Sequence, residues 1–198
     1  VTPLVLASTS QIRAALLNAA GVPHETVGSG VDEGEIKERL LAAGAGPFDI
    51  AGQLAEAKAL KVSRERPGAI VIGADQTLDL DGELHDKARD LTEARRRLLQ
   101  LRGRVHQLHC GVVAARDGGA VWRLTQSSRL EMREFSDAFL GGYLARNGEA
   151  ALSSVGCYQL EGEGAQLFER IEGDYFAILG LPLLPLLGFL RREGALAT

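Results

Sequence analysis

Four consecutive apolar residues, Ala69-Ile-Val-Ile72, stop abruptly at Gly73 and are followed by a carboxylate, Asp75. A short apolar run that begins just after a turn signal, here Pro67-Gly68, reads as a central strand buried on both faces. Ligands of open α/β sheets gather beyond the carboxyl ends of such strands, so this strand is expected to end near Gly73 and deliver Asp75 to a crevice. The competing reading is that Asp75 caps the next turn, the commoner role of a lone Asp after a strand.

A chain of 198 residues with 24% charged and 45% hydrophobic content can build one sizeable α/β core, so 1–198 is read as a single domain. The formal charge of −4 excludes a sequence-independent nucleic-acid coat. An anionic substrate must then be held by a local cluster of Lys and Arg. The two cysteines, Cys110 and Cys157, have neither zinc-ligand nor disulfide-framework spacing, which fits a reduced, cytoplasmic setting. Val1 to Ala7 lacks the basic start and long apolar core of a secretion signal. The apolar stretch Phe176 to Leu190 is interrupted by Pro182 and Pro185, which argues against a membrane span.

In chain order, Leu4 to Ala7 reads as a first strand, Ser8-Thr-Ser10 as a hydroxyl-rich turn, and Gln11 to Ala20 as a helix closed by Gly21. Orphan amides at that helix start, the hydroxyls and Arg13 one turn in can converge on a phosphate. Equally, Ser10 or Thr9 can simply cap the helix while Arg13 is a solvated charge. A second strand is expected around His24 to Val27. Asp32 and Glu33 then read as an acidic pair at the start of a Gly-rich loop, suited to a metal or merely to solvent.

Asp49 is expected to cap a helix from Ile50 to Arg66, with Ile50, Leu54 and Ala57 on one face and Lys58 placed against the core. Asp81-Gly82 signals a hairpin whose return arm carries Lys87, and Thr92 is expected to cap a helix from Glu93 to Leu101. Val105 to Ala115 and Ala120 to Met132 read as antiparallel strands joined at Asp117-Gly-Gly119. Ser136 opens a helix to Leu144 with Gly148 beyond its end, and Val155 to Phe168 reads as a glycine-rich strand region. Pro182 starts a last helix ending near Arg192. Tyr158, Trp122 and the pair His106 and His109 read as packing residues, since the histidines lack further metal ligands.

Taken in order, Ala7-Ser-Thr-Ser-Gln-Ile-Arg13, Val31-Asp-Glu33, Leu54-Ala-Glu-Ala-Lys58, Ile72-Gly-Ala-Asp75-Gln76, Gly82 to Lys87, Leu101-Arg-Gly103, Gly173-Asp-Tyr and Gly180-Leu-Pro182 resemble the Maf family of nucleoside triphosphate pyrophosphatases. The resemblance spans nearly the whole chain. It implies an elongated mixed β-sheet flanked by helices, with two lobes and a central cleft, as in inosine-triphosphate pyrophosphatases. It also implies metal-assisted hydrolysis of a nucleoside triphosphate to the monophosphate and pyrophosphate, and a homodimer. Carried over position by position, it makes Asp75 the catalytic carboxylate and Glu33 its companion at a divalent Mg²⁺ or Mn²⁺. Lys87 is then catalytic, and Ser8, Arg13 and Lys58 hold phosphate. Splitting a phosphoanhydride needs charge neutralisation and an oriented water more than a covalent nucleophile, so cations, a carboxylate and a hard ion suffice.

The family usually has Pro where Gln11 stands and Lys-Pro where Lys87-Ala88 stands, differences that alter loop rigidity rather than chemistry. Asp75-Gln76 is similar to the branch acting on 7-methyl-GTP, and the positions that track specificity in the family fall on Ile12, Gln76 and Glu161. A Glu161 carboxylate is suited to guanine's N1 and N2 hydrogens and to the cationic ring that N7-methylation creates. Otherwise Glu161 is a solvated residue of Glu-Gly-Glu-Gly.

Two rival readings fit parts of the sequence. Asp79-Leu-Asp81-Gly82 looks like the aspartyl-phosphate signature of haloacid-dehalogenase-type phosphatases, although Glu83 replaces the usual hydroxyl residue. A nucleotide-binding regulator of cell division that does not turn over is the other.

Overall fold

The structure is a computed structural model and describes residues 2–197. In chain order the elements are β1 (Leu4–Ala7), α1 (Gln11–Ala19), β2 (Glu25–Val27), α2 (Glu33–Ala42), α3 (Pro47–Glu65), β3 (Ile70–Leu80), β4 (Glu83–His85), α4 (Leu91–Leu101), β5 (Val105–Arg116), β6 (Gly119–Met132), α5 (Asp137–Leu152), β7 (Phe168–Glu172), α6 (Tyr175–Ile178) and α7 (Leu183–Arg192). The strands form one mixed sheet in the order β2-β1-β3-β5-β6-β7, with β4 also paired to β3. This is the helix-flanked mixed sheet expected.

β3 does not end at Gly73. It continues to Leu80, so Asp75 lies in mid-strand rather than beyond a carboxyl end. The crevice arises differently. Residues Val71 to Asp79 pair along one edge of β3 with β5. On the other edge, β1 pairs in parallel with Ile70 to Gly73 and β4 pairs antiparallel with Leu78 to Leu80. Two short strands thus lie end to end beside a long one, and the gap between them falls at Ala74 to Thr77. Asp75 and Gln76 sit where the sheet is open.

The same long strands feed two apolar cores. Ile70 and Ile72 of β3 and Val112 of β5 pack with α1 and α7, whereas Leu78, Leu80 and Leu108 from the other ends pack with α4 and α5. These are the two lobes, and the gap in the sheet separates them. On the opposite face α3 lies almost on the sheet backbone. A Cβ at Gly73 would stand 2.2 Å from the Ala55 carbonyl oxygen and one at Gly111 2.4 Å from that of Ala51, so only glycine admits this approach.

Several expectations are corrected by local chemistry. Glu33 opens a helix, not a loop: Asp32 Oδ1 accepts from the Glu35 amide at 3.0 Å. α2 buries no residue, so it has no apolar stripe to betray it. α3 starts at Pro47 after Gly46, and Asp49 lies in its first turn. Asp90 rather than Thr92 caps α4, accepting from the Glu93 amide at 2.8 Å. α5 runs through Gly148 to Leu152, because Leu91 packs against that glycine where a Cβ would sit 2.9 Å from its methyl group. Val155 to Leu167 contains a 3₁₀ turn, Glu163–Leu167, and no strand until Phe168. The Asp81-Gly82 hairpin forms, both residues having positive φ (56° and 87°), as a two-residue primed turn requires, but its return arm ends at His85, so Lys87 lies beyond the arm rather than on it. Trp122 stacks on Phe189 at 5.2 Å, and both cysteines are buried and free.

His106 gives the fold a pH dependence. It is buried, with Nε2 2.7 Å from the Tyr158 hydroxyl and Nδ1 without a partner. Burial, aided by the nearby His85, lowers its pKa from 6.5 to about 4. Between those values the unfolded chain binds a proton that the native state refuses, so stability falls as pH drops through that window and is fully retained above 6.5. The expected contribution is about 3 kcal/mol. Urea unfolding at pH 7 and pH 4.5 should show a His106→Gln variant losing less stability on acidification than the wild type; an equal loss would contradict it.

Candidate active site

The gap in the sheet opens into a cleft of about 970 Å³ whose walls include Ser8, Arg13, Glu33, Lys58, Asp75 and Lys87. All the residues expected to act on phosphate are therefore brought together. Residues alternate across a strand, so Asp75 faces α3 while Gln76 faces the other way. The close seating of α3 on Gly73 and Gly111 places Lys58 against Asp75: Lys58 Nζ donates to Asp75 Oδ1 at 2.5 Å, and Glu33 Oε1 is 2.7 Å from the same nitrogen. Lys58 and Asp75 are buried, whereas the Glu33 side chain is 43% exposed.

This arrangement sets the charges. Burial pushes the Glu33 carboxyl up, but its bond to Lys58 and the nearby charges of Lys58, Lys37 and Arg13 outweigh that and hold it below the usual carboxylate range. Lys87, just after β4, is pushed down by burial and by Arg13, against the pull of Glu33 and Asp75. It has no hydrogen-bond or ion-pair partner among the described residues, so its ammonium is available to an anion.

At the other wall, Ser8 follows β1. Arg13 Nε donates to the Gly180 carbonyl at 2.7 Å and its NH1 to Ser8 Oγ at 3.2 Å, which fixes the guanidinium one turn into α1. Ser10 is the N-cap residue by position but makes no side-chain cap bond, so the first turn of α1 presents unsatisfied amides together with Arg13. Gln76 Nε2 donates to the carbonyls of Ala177 and Ile178 at 3.0 and 2.9 Å, which ties the open stretch of β3 to α6. Ile12 and Glu161 also line the cleft, and Glu161 is exposed.

Two carboxylate oxygens gathered around one ammonium are a donor set for a hard cation, which takes oxygen ligands and shares substrate phosphates and water. Glu33 and Asp75 fit that role. Among the described residues there is no group of three or more His, Cys, Asp or Glu that could hold a metal. Asp79 and Asp81 do not join the site. Asp79 Oδ1 accepts from the Gly82 amide and Oδ2 lies 3.3 Å from His109 Nε2, while Asp81 pairs with Arg104.

Over residues 3–193 the chain matches the family described as Maf-like protein. It belongs to the Maf family. A relative from Caulobacter vibrioides named nucleoside triphosphate pyrophosphatase is 60% identical over 198 residues, covering 100% of this chain and 99% of the relative. A Brucella abortus protein named 7-methyl-GTP pyrophosphatase is 52% identical over 190 residues, 96% of each. One of the same name from Rhizobium meliloti is 51% identical over 193 residues, 98% of this chain and 97% of the relative.

In this Maf protein, sequence reasoning missed Lys37, Asp86 and Arg97. Arg97 NH1 donates to the carbonyls of Asp86 and Val155 at 2.9 and 2.7 Å, which anchors the loop carrying Lys87 to the other side of the cleft. Its signal in the sequence was slight: one more Arg in Arg95-Arg-Arg97 on α4. No helix among the described residues is long and apolar enough to cross a membrane.

Proposed function

We propose that the chain is a nucleoside triphosphate pyrophosphatase that cleaves between the α- and β-phosphates, with 7-methyl-GTP as its substrate, in the cytoplasmic nucleotide pool. The observation that carries this is Asp75, buried in the gap of the sheet, joined to Glu33 through Lys58 and facing the cations Arg13 and Lys87 across a nucleotide-sized cleft. The names of the relatives support the same reaction and both substrate descriptions.

In this reading Ser8, the α1 amides, Arg13 and Lys87 bind the triphosphate and neutralise the charge that grows on the leaving pyrophosphate. Bound Mg²⁺ or Mn²⁺, held by Asp75 and Glu33, would add charge neutralisation at the phosphates. Asp75 orients a water and accepts its proton. The water oxygen bonds to the α-phosphorus, the bond from that phosphorus to the bridging oxygen breaks, and pyrophosphate leaves with the electron pair. Lys58 holds Asp75 and Glu33 aligned and keeps Glu33 ionised.

For the base, Gln76 anchors α6 at the cleft wall through its amide nitrogen, while Glu161 accepts from guanine and attracts the N7-methylated ring. Pyrophosphate release from 7-methyl-GTP, GTP, dTTP and UTP should favour the methylated guanine nucleotide. Glu161→Gln should lower kcat/KM for it by ~tenfold or more while changing that for UTP little. A clear pyrimidine preference would remove the substrate assignment. Tight nucleotide binding without released pyrophosphate would instead support the non-catalytic regulator.

A further inference from the structure

One cation of the cleft, Lys37, takes no part in the reaction described above. Lys37 lies one turn after Glu33 on α2, a spacing that puts both side chains on one helical face, and both line the cleft. Its ammonium stands 2.6 Å from Asp86 Oδ1, on the residue before Lys87. The partners are unequal: the Lys37 side chain is 21% exposed and that of Asp86 67%. A carboxylate so open to water is a weak partner, while a lysine ammonium is a mobile point charge on a flexible stem. Burial disfavours the charged amine, but Asp86, Asp75 and Glu33 outweigh it and keep Lys37 cationic.

No side chain of α2 is fully buried, and polar ties join it and the loop before it to the rest of the cleft: Lys37 to Asp86 and Glu33 to Lys58 from the helix, and Lys61 to the Gly30 carbonyl from the loop. Exchanging one of those ties for a bond to substrate disrupts no apolar packing.

We infer that Lys37 is a further phosphate-binding residue, held by Asp86 in the substrate-free cleft and released to the oxygens of the pyrophosphate half of a nucleoside triphosphate. The inference rests on the pyrophosphatase reading above and deepens it. Asp86 is then a competitor of the substrate, and the two residues of one ion pair should have opposite effects on binding. A purely structural pair would move binding in the same direction from either side, or not at all.

The test is calorimetric titration of inorganic pyrophosphate with Mg²⁺ into wild type, Lys37→Met, Asp86→Asn and the double variant. Lys37→Met should weaken binding ~tenfold or more. Asp86→Asn should tighten it by roughly threefold, and the double variant should bind like Lys37→Met. Equal binding by wild type and Lys37→Met, weakening by Asp86→Asn comparable to that of Lys37→Met, or no binding by the wild type would overturn the inference. Pyrophosphate release from nucleotides by the wild type is scored separately. If turnover persists and the Lys37 effect is absent, only this inference fails; if pyrophosphate binds and no nucleotide is turned over, the proposed reaction fails.

Discussion

Asp75→Asn is expected to lower kcat for pyrophosphate release by about 10³-fold while leaving KM within a few-fold of wild type. Asparagine keeps the shape of the side chain but carries no charge and cannot take a proton from water. Arg13, Lys87 and the α1 amides, which bind the phosphates in this account, are untouched, so ground-state binding should survive. The fold should survive as well, because Lys58 keeps Glu33 at 2.7 Å. Steady-state kinetics on the preferred nucleotide, beside a thermal melt, checks this. A kcat within tenfold of wild type would move catalysis away from Asp75.

The second large effect is at Lys58, and it is read in stability. Removing one partner of a buried ion pair leaves the other charge without compensation. Lys58→Met should strand Asp75, buried, and Glu33, half-exposed, beside each other. We expect a loss of about 3 kcal/mol in urea unfolding, toward the low end for a buried pair because Glu33 can turn to solvent. Millimolar Mg²⁺ should restore more stability to this variant than it adds to the wild type, since the same two carboxylates then lack their ammonium. Equal Mg²⁺ responses would mean that the two oxygens do not hold the ion.

The residues proposed to do the chemistry each stand in a recognisable local context, a hydroxyl turn before a helix, a lysine between alanines, a carboxylate after an apolar run, but each context also fits an ordinary cap or surface charge, and only their order along the chain, through the family resemblance, gave them roles. What was not legible is why they meet. Asp75 reads as the end of a strand because the apolar run stops at Gly73, yet β3 continues through Gln76 and Thr77, whose polar side chains find partners in α6 and in the Pro47 carbonyl. Strand ends cannot be read from hydropathy when tertiary partners satisfy polar residues. The gap between β1 and β4 arises where β3 pairs with its own hairpin arm at one end and with a strand from the start of the chain at the other.

α2 escaped for a related reason. A helix with no buried face leaves no period, and only its cap at Asp32 gives it away. Lys37 and Asp86 went with it, since their importance lies in an ion pair across 49 residues of chain. Gly73 reads in the sequence as the end of a strand, but it and Gly111 are contact points where α3 comes down on the sheet, and that contact sets the distance from Lys58 to Asp75.

The central claim is that water attacks the α-phosphorus in this cleft and pyrophosphate departs intact. Turnover of 7-methyl-GTP in ¹⁸O-labelled water, with both products analysed by mass spectrometry, tests it directly. The account predicts one ¹⁸O in the nucleoside monophosphate and unlabelled pyrophosphate; label in pyrophosphate, or stepwise release of labelled orthophosphate, would contradict it.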